Sequence, residues 1–349
     1  MLQKKSALKQ LIWYIAILMV AVAAFVYIMD PFYQYHDALA GKKAALYDRE
    51  HQVIGTIRNF EYDSVLLGSS VAENFDTEYL NKQYDCKTLK VIRASGSIAD
   101  LLYYMDMVHE KQELKNVFWC MDVFALMREM EVSLYQNVPA YLHTETILDD
   151  GEYLYNKDVL FQKIPLSVAY SLLERNTGGH AYDWSANKQF GAEYAIRHYA
   201  KPKEANPVQN TEAEEELFAE NMKSVLAEIK GHPQTKYTIM FPPYSLLWWD
   251  SGYVNGYSQM YLQVLEEAIP QLLACENVEI HFFMAEEEIV CDLSHYMDML
   301  HYSPQINQFM LEALSSEEYR VKPENVNEVL EEMHRVHDVM VQEDIYKYY

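Results

Sequence analysis

The chain has 349 residues, half of them hydrophobic, so one large domain or two small ones with a sizeable core can form. Acidic residues outnumber basic ones 52 to 28, a net charge of -24 that excludes a nucleic-acid surface and disfavours adhesion to anionic headgroups. The charge itself reads as solvation of the surface. The four cysteines, Cys86, Cys120, Cys275 and Cys291, form no CxxC or Cys/His metal spacing. Cys120 lies in an apolar run and reads as core, whereas Cys275 and Cys291 are open to pairing in an oxidising compartment.

Leu11 to Met29 is uncharged, almost wholly apolar and of bilayer-spanning length. Lys4, Lys5 and Lys9 precede it and Asp30-Pro31 ends it, so the short tail is expected in the cytoplasm and the rest of the chain outside. Ala21-Val22-Ala23 also resembles a signal-peptide cleavage site, but the apolar run continues beyond it, which favours a retained single-pass anchor in the cell membrane. Either alternative puts the domain outside the cytoplasm.

Residues 30–60 form a membrane-proximal stretch, with a helix predicted over Lys43 to Phe60. Short apolar segments then alternate with helical periodicity. Strands are predicted over Ser64 to Leu67, Leu89 to Ile92 and Val117 to Met121, with a helix over Ile98 to Lys111. The stretch 124–210, Tyr-rich with Gly178-Gly179 and Pro202 to Pro207, reads as an insertion. It is helical near Ile164 to Glu174, and serves either as a lid or substrate wall or as cover for a sheet edge.

Alternation resumes with an acidic helix from Thr211, its N-cap, to Lys230, then a strand over Tyr237 to Phe241. A helix over Tyr257 to Ala274, a strand over Val278 to Phe283 and helices over Ser303 to Leu314 and Glu324 to Val341 follow. The expected fold class is α/β: a three-layer α/β/α sandwich about a mainly parallel five-stranded sheet over residues 61–320, with 321–349 as a C-terminal helix.

In such sheets the chemistry gathers at the carboxyl ends of the strands. The first strand ends at Gly68-Ser69-Ser70, where glycine permits a tight turn and a helix start offers free N–H groups beside Ser70. A Gly-Ser-Ser also serves as a plain helix N-cap. Late in the chain, Asp298 and His301 are three residues apart, so one turn presents both side chains together. A carboxylate there fixes the imidazole, which can then take the proton of a serine hydroxyl. Asp292 and His295 share the spacing and compete; His301 is preferred because Tyr302-Ser303-Pro304 and a helix follow it directly. Trp248 and Trp249 are open to stacking on sugar rings or to the core, and no motif calls for a cofactor or metal.

A Gly-x-Ser after the first strand and an Asp-x-x-His before the last helices, here Asp298 to Asn307 as DxxHYSPxxN, resemble the SGNH (GDSL-like) hydrolase superfamily. The closer resemblance is to its membrane-anchored, cell-envelope branch, related to proteins that work with membrane-bound O-acyltransferases. It covers about residues 60–315 and implies Ser70 as nucleophile, His301 as base and Asp298 as its orienter. It further implies an oxyanion hole from the N–H groups of Ser70 and Gly96 and a side chain after the third strand. There the family carries asparagine and this chain carries Asp122, which when ionised donates no hydrogen bond. Ser69 and Tyr244, the latter in a Pro-Pro-Tyr turn, are expected at the substrate surface.

The implied activity is serine-dependent acyl transfer, as esterase or O-acyltransferase, on cell-envelope polysaccharide or another acyl ester, with an integral membrane O-acyltransferase as partner. The alternative is a non-catalytic glycan-binding or scaffold module of the same fold.

Overall fold

The computed structural model describes residues 2–39, 41–133, 138–144, 146, 148–197, 199–200 and 212–343. The predicted N-cap Thr211 and the Pro202 to Pro207 stretch lie outside the described residues. The chain forms two compact units, Met1–Phe60 with Tyr135–Gly178, and Glu61–Leu134 with Gly179–Tyr349. The stretch 124–210 is thus divided between them.

The first unit begins with the helix Leu2–Met29. Its part Ala7–Met29 is long and apolar enough to cross a membrane and is almost entirely exposed. Only its last turns join a core, where Val26 meets Phe32, Tyr141, Tyr153, Val159 and Ile164. The helix stops at Asp30, whose buried carboxylate accepts the backbone N–H groups of Gln34, Tyr35 and His36 and the Tyr153 hydroxyl. Burial pushes this carboxyl up, against those hydrogen bonds. The helix predicted over Lys43 to Phe60 starts later, at Arg49, and runs to Asn59. The Gln52 side chain explains the late start: its oxygen accepts the N–H groups of Tyr47 and Asp48 and holds them out of the helix.

The second unit is built on a six-stranded sheet in the order β2-β1-β3-β4-β5-β6. The strands are β1 Ser64–Gly68, β2 Thr88–Ile92, β3 Asn116–Cys120, β4 Lys236–Phe241, β5 Val278–Phe282 and β6 Arg320–Val321. The first five pair in parallel. They match the predicted strands to within a residue at each end, because strands covered on both faces read as unbroken apolar runs. Every residue of β1 and β3 is buried. The expected five strands become six because β6 adds an antiparallel edge of only two residues, too short to leave a pattern.

Other elements depart from expectation as well. The helices Thr77–Tyr84 and Leu246–Val254 had no predicted counterpart. A 3₁₀ turn, Ser70–Ala72, rather than a full helix, follows β1. The Ile98–Lys111 helix forms as predicted, closed at its start by a capping box between Ser97 and Asp100. None of the four cysteines is in a disulfide, so the pairing left open for Cys275 and Cys291 does not form.

Candidate active site

The sheet order reverses between β1 and β3: β1 is followed outward by β2, while β3 leads to β4 and β5. Connections leaving these two strands diverge and open a crevice at their carboxyl ends. Ser69 and Ser70 follow β1 there, and Asp122 follows β3. Gly68 is required at this place. A Cβ on it would lie 2.9 Å from the Ala72 Cβ and 3.0 Å from the Cys120 carbonyl oxygen, so any side chain would push the serine turn off β3.

Ser70 and His301, 231 residues apart, meet here, with Oγ 2.8 Å from Nε2. On its other side, His301 Nδ1 lies 2.7 Å from Asp298 Oδ2. Since an ionised carboxylate only accepts, Nδ1 carries the proton and Nε2 is left to receive one from Ser70. Burial raises the Asp298 carboxyl, but the His301 hydrogen bond and charge outweigh it and hold the group below the usual carboxylate range. The three sequence-predicted residues therefore form one hydrogen-bonded chain.

The loop carrying Asp298 and His301 is fixed by backbone and side chain alike. A bridge joins Tyr296 to Tyr302, and the Met297 N–H donates to the His301 carbonyl. The Tyr296 hydroxyl donates to the Pro243 carbonyl and the Ser245 hydroxyl to the Met299 carbonyl, tying the loop to the end of β4. Asn307 then donates to the Val71 carbonyl and links the following helix to the serine turn. The competing pair behaves differently. His295 lies 3.6 Å from Asp292 at the surface, and Asp292 caps the turn at the Ser294 N–H.

The expected oxyanion donors fare unequally. The Ser70 N–H stands at the first position of its 3₁₀ turn, where no carbonyl within the turn reaches it. The Gly96 N–H is already committed: it donates to the Arg93 carbonyl at 2.9 Å in a turn that puts Ser95 in the left-handed region, φ 52°. This corrects the expectation that Gly96 offers a free donor. Asp122 is 3 % exposed, with the hydroxyls of Tyr244 and Ser69 on its carboxyl. Burial pushes it up, opposed by those two bonds and by the charges of His301 and Arg128.

Ser69 and Tyr244, expected at the substrate surface, are instead buried behind the site, where they hold Asp122. Trp248 and Trp249 are buried too, packed with Tyr261.

Two supporting residues escaped the sequence reading. Trp184 donates from its indole N–H to the Ser70 carbonyl at 3.1 Å and sets its ring edge-on to His301, 5.3 Å between centroids. Lys90 of β2 is fully buried, and its ammonium donates to the carbonyls of Glu73 and Ala181 at 2.6 and 2.7 Å. It thereby clamps the serine turn to the segment bearing Trp184, while burial drives its pKa down to about 7. A lysine inside the run Leu89-Lys90-Val91-Ile92 was the available signal, since a buried strand seldom spends a position on a charge.

A grouping that meets a metal's distance requirement lies at the other end of the sheet helices. The ligand atoms of His109, Glu228 and His232 fall within 4.8 Å of one another. Their two imidazoles are stacked 3.4 Å apart with planes 7° from parallel. In-plane lone pairs on parallel rings run side by side rather than converging on one ion. Hydrogen bonds account for the cluster: Glu228 sits on His109 at 2.8 Å and accepts the Tyr237 hydroxyl at 2.9 Å.

Comparison of the chain with protein-family models, curated proteins and solved structures finds no match.

Proposed function

We propose that the chain is a serine-dependent acyl-transfer enzyme with an SGNH-type, three-layer α/β/α domain, held outside the cytoplasm by its N-terminal helix. The single observation that carries this reading is the Ser70–His301–Asp298 chain at 2.8 and 2.7 Å, assembled from opposite ends of the domain at the crevice between β1 and β3.

The chemistry follows from the geometry. His301 Nε2 takes the Ser70 proton as Oγ attacks an ester carbonyl, and Asp298 stabilises the imidazolium that forms. The Ser70 N–H faces the developing oxyanion. Asp122 supplies a second donor when protonated, the direction in which burial moves it. Collapse of the intermediate breaks the ester bond, and the leaving alcohol takes the proton from His301. The acyl-serine is then attacked by an acceptor deprotonated by the same imidazole, the acyl–Oγ bond breaks, and Ser70 Oγ leaves with the proton returned from His301 Nε2. Water makes the protein an esterase; a polysaccharide hydroxyl makes it an O-acyltransferase. A cell-envelope polysaccharide is the proposed acceptor, and an integral membrane O-acyltransferase the proposed partner.

A second reading has its own support. The committed Gly96 amide and an acid at position 122 weaken the oxyanion hole, which favours a non-catalytic glycan-binding or scaffold module. Aryl acetate hydrolysis and fluorophosphonate labelling separate the two. The enzyme reading expects hydrolysis and a covalent adduct on Ser70, both absent in Ser70→Ala. An inert wild type that still retains polysaccharide establishes the module instead.

A further inference from the structure

The helical segment Val159–Leu172 is apolar on both of its sides. Inward, Val159, Leu160 and Ile164 pack into the core that contains Val26 and Phe32. Outward, Phe161 is 74 % exposed, Leu172 70 % and Leu173 74 %, with Leu166, Pro165 and Ala169 exposed between them. These positions recur at helical spacing and form one stripe. Gln162 is the one polar residue exposed within it. An exposed apolar stripe of this kind, on a helix whose inner side is already buried, belongs against protein or lipid rather than water.

The surroundings say which. Val26 and Met29, from the last turns of the membrane-length helix, belong to the same core that the inner side of this segment joins. The stripe therefore belongs to the level at which that helix leaves the hydrocarbon. Tyrosines mark the level as well: Tyr27 and Tyr155 are exposed, and Tyr35, Tyr141 and Tyr153 cluster around the core. Tyrosine concentrates where one end of a side chain meets acyl chains and the other meets water.

We propose that the outer stripe of Val159–Leu172 lies in the headgroup–acyl boundary of the bilayer crossed by Ala7–Met29, as a second, in-plane membrane contact. The proposal rests on the reading of Ala7–Met29 as a membrane span.

The full chain, reconstituted in phosphatidylcholine vesicles carrying a diazirine near the top of the acyl chain, tests it by mass spectrometry after illumination. Lipid adducts are expected on peptides from Leu11–Met29 and from Phe161–Leu173, and not on the C-terminal helix Val326–Gln342. Adducts on the span alone overturn the in-plane contact and leave the anchor standing. Adducts on neither overturn both. A triple variant, Phe161→Ser with Leu172→Ser and Leu173→Ser, changes only exposed side chains. It is expected to lose the second set of adducts and keep the first, with an unchanged circular dichroism spectrum; undiminished labelling overturns the proposal. Labelling that needs native membranes and fails in pure lipid does so too, in favour of a protein partner.

Discussion

Asp298 grips His301 at two points: Oδ2 on the ring Nδ1 at 2.7 Å and Oδ1 on the backbone N–H at 2.8 Å. One carboxylate thus sets both the tautomer of the imidazole and the path of the loop that carries it. Replacing Asp298 by Asn keeps the shape but lets the ring adopt the wrong tautomer. Aryl ester turnover should fall by ~10⁴ in kcat, the scale of such a loss in serine triads. A drop of less than tenfold would show that His301 is oriented by other means.

Asp122 gives a pH signature. Only its protonated form donates a hydrogen bond, and burial extends that form above the usual carboxylate range. Because the proton is lost as pH rises, wild-type turnover should decline on the alkaline side relative to Asp122→Asn, whose amide donates at every pH. Asp122→Leu should cost ~10²–10³ in kcat, as for a lost oxyanion donor. If Asn is as damaging as Leu, the carboxylate is needed as the acceptor that fixes Ser69 and Tyr244.

Trp184→Phe retains an aromatic ring beside His301 and removes the donor to the Ser70 carbonyl. A net hydrogen bond of about 0.5–1.5 kcal/mol corresponds to a loss of roughly two- to tenfold in kcat/KM. The melting temperature should hardly move. Unchanged kinetics would reduce Trp184 to packing.

At the sheet edge, Glu279 bonds His281 and pairs with Lys236 of β4 and Arg320 of β6. The His281 bond and those two cations, against burial, hold its pKa down to about 2, from the ordinary 4.5. A depressed carboxylate contributes stability above its unfolded pKa and loses it as pH falls through the folded one. Urea unfolding should therefore show wild type above Glu279→Gln at neutral pH, the gap closing between pH 4.5 and 2. A gap independent of pH would rule out this linkage.

The parallel strands were legible because fully covered strands such as Val65-Leu66-Leu67 are continuous apolar runs. Asp298 and His301 were legible because three-residue spacing is a local property of the chain. Gly96 misled because its amide is consumed by a turn whose strained partner, Ser95, carries no glycine to announce it. Tyr244 misled because a proline-rich strand end suggested a surface wall, whereas burial of its ring is decided by Phe124 and Trp248. Trp184 lies 114 residues beyond Ser70, and nothing in its own neighbourhood signals that they touch.

Val26 is fully buried, three residues before the apolar helix ends, and its carbonyl receives the Asp30 N–H at 2.8 Å. The proposed anchor is therefore not a tether that can be cut flush with the folded body. Shedding at Asp30 would leave Phe32 and Tyr153 facing a gap, whereas a cut within Ala21-Val22-Ala23 spares the contact. An intact released form must carry a short greasy stub, and its solubility will be limited by those few residues.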